Sequence, residues 1–156
     1  MPEIGYARSI IDDTPVNGEL EKAPSSNWAY DHAVNKDAHH AVFVNRGDSG
    51  AYDFTLANLI TDGAWRDLDL SAIVPAGALA VLLLILLKDD SAFSLVSLRR
   101  NGNTGTIAIS RCYIQVADTY TGMDRIVALD AGRVIEYATT NTTFNDISIL
   151  VKGWWI

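Results

Sequence analysis

The stretch PAGALAVLLLILLKDD, Pro75 to Asp90, decides how this chain folds. Between Ala76 and Leu87 it carries no polar side chain. A membrane-spanning helix needs roughly 20 consecutive apolar residues, so the run is too short to cross a bilayer. Its flanks select a strand: Pro75 and Gly77 punctuate the start, Lys88-Asp89-Asp90 makes a turn, and strand-like segments lie on both sides. Alternate residues of a strand face opposite sides. Leu79, Val81, Leu83, Ile85 and Leu87 therefore share one face, and Ala80, Leu82, Leu84 and Leu86 the other. Both faces are apolar, whereas a strand with one solvated face alternates. Something must cover the second face. No repeated helical segment is available, and another subunit is the simplest cover. The sequence does not say which face meets the partner, so Leu82, Leu83, Leu84 and Ile85 are all candidates for the oligomer contact.

Outward from this strand, the chain from Tyr52 onward reads as short strands separated by turn residues. Phe54 to Leu59, Trp65 to Leu70, Phe93 to Arg100, Thr106 to Val116, Ile126 to Leu129, Val134 to Thr139 and Phe144 to Lys152 join the central one. Thr61-Asp62-Gly63, Asn101-Gly102-Asn103, Thr121-Gly122-Met123-Asp124 and Asp130-Ala131-Gly132 are the turns between them. About eight strands with no long amphipathic helix predict an all-β fold, an antiparallel jelly-roll-like β-sandwich. The ending Trp154-Trp155-Ile156 places one indole inward and one outward, which marks Trp155 as a second intersubunit candidate.

Residues 1–46 have a different texture and read as an extended arm or stalk, leaving 47–156 as the head. The arm holds turn formers in Asp12-Asp13-Thr14-Pro15-Val16-Asn17-Gly18 and a short helix, Trp28 to Ala33, capped by Ser25-Ser26-Asn27. So short a helix does not persist alone, and Trp28 and Tyr30 need a surface on another subunit. Arg46-Gly47-Asp48-Ser49-Gly50 reads as a linker turn, the bland reading of a tripeptide that also serves integrin recognition.

Composition excludes several functions. With 49% hydrophobic and 20% charged residues the chain is globular. A net charge of −7 disfavours a nucleic-acid backbone or an anionic membrane surface. The single cysteine, Cys112, cannot form an intrachain disulfide and reads as a small buried hydrophobe. The amino terminus shows no basic-then-apolar secretory pattern, so synthesis in the cytoplasm is expected. No nucleophile elbow, HExxH or phosphate-binding glycine loop occurs. All three histidines (His32, His39, His40) lie in the arm, which deprives the head of the commonest general base. Copies of one histidine around a symmetry axis would suit a metal, but a polar turn explains them better, and no metal or cofactor is expected. Asp89-Asp90 reads as a solvated turn rather than a glycosidase pair. Trp65, Tyr113, Tyr120, Tyr137, Asn141 and Asn145 are groups of the kind that stack on sugars and bind hydroxyls, although strand aromatics more often serve the core.

Two stretches carry a resemblance. DDTPVNGELEKAPSSNWAYDHAVNKDAHH (12–40) resembles a segment of tailed-phage tail-fibre and related virion attachment proteins. IVPAGALAVLLLILLKDD (73–90) and RVIEYATTNTTFNDISILVKGWW (133–155) are similar to the carboxy-terminal sandwich heads that accompany it. The resemblance implies a non-enzymatic virion component, a homotrimeric fibre tip or attachment head. Its arm would join other virion components, and its loops would bind a surface glycan or protein. A carbohydrate-binding module of a cellular protein is the alternative.

Overall fold

The apolar run forms the nine-residue strand Ala80–Lys88, and its two faces have different fates. Val81, Leu83, Ile85 and Leu87 are completely buried, while Leu82, Leu84 and Leu86 are half-buried on the outside. The computed structural model describes residues 41–156, of which Val42–Ile156 form one compact unit. Its strands are β1 (Phe43–Asn45), β2 (Phe54–Thr55), β3 (Arg66–Asp69), β4 (Ala80–Lys88), β5 (Leu95–Arg100), β6 (Ser110–Tyr113), β7 (Thr121–Ala128), β8 (Val134–Thr139) and β9 (Asp146–Trp155). The only helical element among the described residues is the 3-10 turn Leu56–Asn58.

One sheet runs β1-β9-β4-β7 with β2 also on β9, and the other runs β3-β8-β5-β6. All pairings are antiparallel. The pairs β1·β9, β3·β8, β4·β7 and β5·β6 nest inside one another, as when a long hairpin is rolled up. That nesting is the jelly roll that the strand count predicts. The core lies between the sheets, with Val81, Leu83, Ile85 and Leu87 opposed to Val96, Leu98, Ile135 and Ile114 and flanked by Ile147, Ile149 and Val151. Fully burying each such side chain stabilises the fold by roughly 1.5–3 kcal/mol.

Two boundaries shift. Phe43–Asn45, read as part of the arm, is a strand of the first sheet, so the sandwich starts at Val42 rather than at residue 47. Thr121-Gly122-Met123-Asp124, read as a turn, begins β7.

A β-bulge on β9 reshapes the end of the chain. The β4·β9 register jumps between Leu82 and Leu83, which leaves Lys152 as the extra residue. Simple alternation from Ile147, Ile149 and Val151 would send Trp155 inward. The bulge inverts the parity, so Trp154 packs against the core and Trp155 lies outside, its ring 4.8 Å from that of Phe43. Gly153 lies beneath: a Cβ there would come within 3.0 Å of the Val44 carbonyl and the Phe43 ring.

Candidate functional site

The outer faces of the two sheets differ in chemistry. On the β3-β8-β5-β6 sheet, Arg99 pairs with Glu136 at 2.5 Å, and its guanidinium sits 3.8 Å from the centre of the Trp65 ring. Register places Asp67 and Ser97 on that same face. On the other sheet, register places Ala80, Leu82, Leu84 and Leu86 of β4 beside Ile126 of β7 and Leu150 of β9. Phe43 and Trp155 continue this apolar stripe toward one end. Lys152 of β9 and Asp124 of β7, 2.8 Å apart, flank β4 on either side, so their ion pair crosses this face beside Leu84.

Sequence reasoning nominated both parities of β4 for the oligomer contact, and the structure separates them. Leu83 and Ile85 are in the core with no exposure and cannot meet a partner. Leu82 and Leu84 lie on the outer face, and Trp155 is half-buried beside them. Trp28 and Tyr30, like His32, His39 and His40, lie outside the described residues.

The loop after β1 crosses this face. Arg46 donates to Asp53 at 2.5 Å and to the Val151 carbonyl at 3.3 Å, and Asp53 also accepts from the Val151 N–H at 2.7 Å. Arg46-Gly47-Asp48 is thus no free recognition loop: its arginine is anchored to β9. Two hollows lie under the loop, one of about 430 Å³ floored by Leu82 and Leu150 and one of about 300 Å³ floored by Leu84 and Leu150.

A second cluster occupies the end of the sandwich where the β4–β5, β6–β7 and β8–β9 loops meet. Asp89 is not a solvated turn residue. It continues the inward parity of β4 and is completely buried, whereas Asp90 is exposed. Asp89 Oδ2 accepts from Asn141 Nδ2 at 2.6 Å, and its carbonyl accepts from the Asp118 N–H at 2.7 Å. Its Oδ1 has no hydrogen-bond partner among the described residues, nor does the buried Thr139 hydroxyl. Beside them Phe93 has φ +69° and is 76% exposed. Sequence reading treated Phe93 as an ordinary strand residue, and no local signal distinguishes it.

The other aromatic candidates are dispersed. Trp65 is occupied by Arg99. Tyr137 is buried, and its hydroxyl accepts from the Ile60 N–H at 2.8 Å. Tyr113 and Tyr120 are exposed, with Lys88 Nζ 5.4 Å from the centre of the Tyr120 ring. Asn145 is exposed on the β8–β9 loop. Burial pushes the Cys112 thiol up to about 11, as expected of an inert core group. Among the described residues no cluster of His, Cys, Asp and Glu is arranged to hold a metal, and no helix is long and apolar enough to cross a membrane. Comparison with protein-family models finds no match to the chain, and comparison with curated proteins finds no significant relative.

Proposed function

We propose that the protein is a non-enzymatic attachment head of a phage-like virion, assembled as a homotrimer through the apolar face of the β1-β9-β4-β7 sheet. The observation that carries this reading is the contrast between the two outer faces. One is occupied by the Arg99–Glu136 ion pair and its cation–π contact with Trp65, while the other, crossed by the Lys152–Asp124 pair and partly overlain by the loop after β1, gathers Leu82, Leu84, Leu86, Ile126 and Leu150. Apolar side chains gathered on one outer face mark an association site. The resemblance of residues 12–40 and 133–155 to fibre-associated segments supplies the virion context, with other virion components as partners of the arm and a surface glycan or protein as partner of the loops.

The test is mass in solution. The wild type is expected to be trimeric at micromolar concentration. Leu84→Asp, which puts an unpaired carboxylate on the contact face, is expected to yield folded monomers. A monomeric wild type, or an unchanged mass in the Leu84→Asp variant, defeats the assembly. The exposed aromatics at the loop end favour a second reading, a carbohydrate-binding module of a cellular protein. Tail or capsid genes beside the coding sequence would exclude it.

A further inference from the structure

We propose that the depression between the β4–β5 and β8–β9 loops binds a neutral sugar residue, with Phe93 as its stacking platform and Asn141 and Thr140 as its hydrogen-bonding groups. The proposal rests on the attachment reading for its purpose and on this end of the sandwich for its substance.

The fold carries its least favourable features here. A bulky non-glycine residue at positive φ is a genuine outlier, and such conformations persist only where surrounding structure enforces them. The enforcement is visible: the Phe93 N–H donates to the Ile114 carbonyl at 2.8 Å, and the Ile114 N–H donates to the Ser94 carbonyl at 2.9 Å. The outcome is an aromatic ring 76% exposed at the rim of a hollow of about 310 Å³. Nothing in core packing requires a phenyl group there.

The polar groups lining the same hollow are already oriented. Asn141 is held at both ends, with Nδ2 donating to Asp89 at 2.6 Å and Oδ1 accepting from the Thr143 N–H at 3.2 Å. An amide has two N–H groups and two lone pairs on its oxygen, so one donor remains for a ligand. Thr140 Oγ1 accepts from the Leu95 N–H at 2.9 Å, which leaves its proton to be donated outward. A burial as unfavourable as that of Asp89 makes sense as support for Asn141, in the way that a second layer of contacts fixes a binding group.

An exposed aromatic face beside fixed hydroxyl and amide groups matches a pyranose, which has an apolar face and a rim of hydroxyls. Charge narrows the class. The lining residues Ser91, Ala92, Phe93, Ser94, Thr140 and Asn141 include no cation, Asp90 is adjacent, and the chain carries −7 overall. Sialylated and sulfated sugars are therefore disfavoured.

The test applies the full-length protein to an array of neutral hexose and N-acetylhexosamine glycans with sialylated and sulfated ones as controls. Phe93→Ala, Phe93→Asn and Asn141→Ala are run beside the wild type, and each protein's melting temperature and mass are recorded. The wild type is expected to hold neutral glycans only. Each variant should bind at least about tenfold more weakly, the loss typical of one anchor residue. Phe93→Asn should melt no lower than the wild type, because asparagine enters the left-handed region more readily. The site is overturned if the wild type retains no neutral glycan, if anionic glycans bind equally well, or if Phe93→Asn binds undiminished. A trimer that ignores glycans would defeat the sugar site and leave the assembly standing. A monomer that binds them through Phe93 would do the reverse.

Discussion

Gly153 shows how one missing side chain organises its surroundings. With no Cβ, it lets β1 close against β9 and lets the Phe43 ring lie over the backbone and against Trp155. Gly153→Ala should displace Phe43 and cost about 1–3 kcal/mol in chemical denaturation, the range for overpacking a filled site. Leu83 is a different case. It is completely buried, and Leu83→Ala should cost about 2–5 kcal/mol by leaving a cavity. Leu83→Asp should abolish folding, whereas the neighbouring Leu84→Asp should leave a folded chain. Nothing in AVLLLILL separates these neighbours, because both parities are leucine-rich. The assignment comes from the facing sheet, which lies on one side only. Asp89 was illegible for the opposite reason: next to Asp90 it looked solvated, and only its odd parity along β4 aims it inward.

At the scale of elements, alternation and turn residues revealed most of the strands, and the failures have local causes. Ile107 follows the strand pattern yet is exposed outside β6. Asn101-Gly102 makes its turn, with the Asn103 N–H donating to the Arg100 carbonyl at 3.1 Å and Gly102 at φ +81°. Only Gly102 of the pair has positive φ, and a turn of that kind does not match the twist of a tight hairpin as the primed turns do. The chain consequently loops out before β6. The first half of β7 is concealed because Thr121, Gly122, Asp124 and Arg125 surround its one apolar residue there, Met123, as an edge strand paired only with β4 permits. The β9 bulge has no composition signal at all. At the far end, Asp130 joins two connections, accepting from the Val134 N–H at 2.8 Å and from Asn101 Nδ2 at 2.9 Å. The Val134 N–H above all, with Asn101 and Arg100, holds its carboxyl below the usual range. A carboxyl depressed in the folded state adds stability above its unfolded value of about 3.9, and that stability disappears as pH falls through the folded value. Asp130→Asn should therefore melt lower than the wild type at neutral pH. The difference should shrink once both are acidified well below pH 4.

For the whole molecule, the jelly roll followed from strand count and the lack of helices, whereas its pairing order did not, because antiparallel strands of similar composition can exchange neighbours. If the leucine face joins subunits, thermal stability depends on protein concentration, and dilution from tens of micromolar to tens of nanomolar should lower the melting temperature. An unchanged melting temperature across that range would count against association. The nested pairing also governs how the chain is made. β4 is hydrogen-bonded on both edges only after β7 and β9 have joined it. Synthesis at roughly 5–20 residues per second takes several seconds to travel from Lys88 to Asp146. Throughout that interval the ribosome presents an apolar β-strand with an unpaired edge, the kind of segment that templates aggregation. Soluble yield should therefore respond to this waiting time: slower initiation, lower temperature or a holdase chaperone should raise it more than stabilising the core does. A messenger cut short before β9 would release a chain with no means of completing its first sheet, because β9 is the strand that joins β1 and β2 to β4.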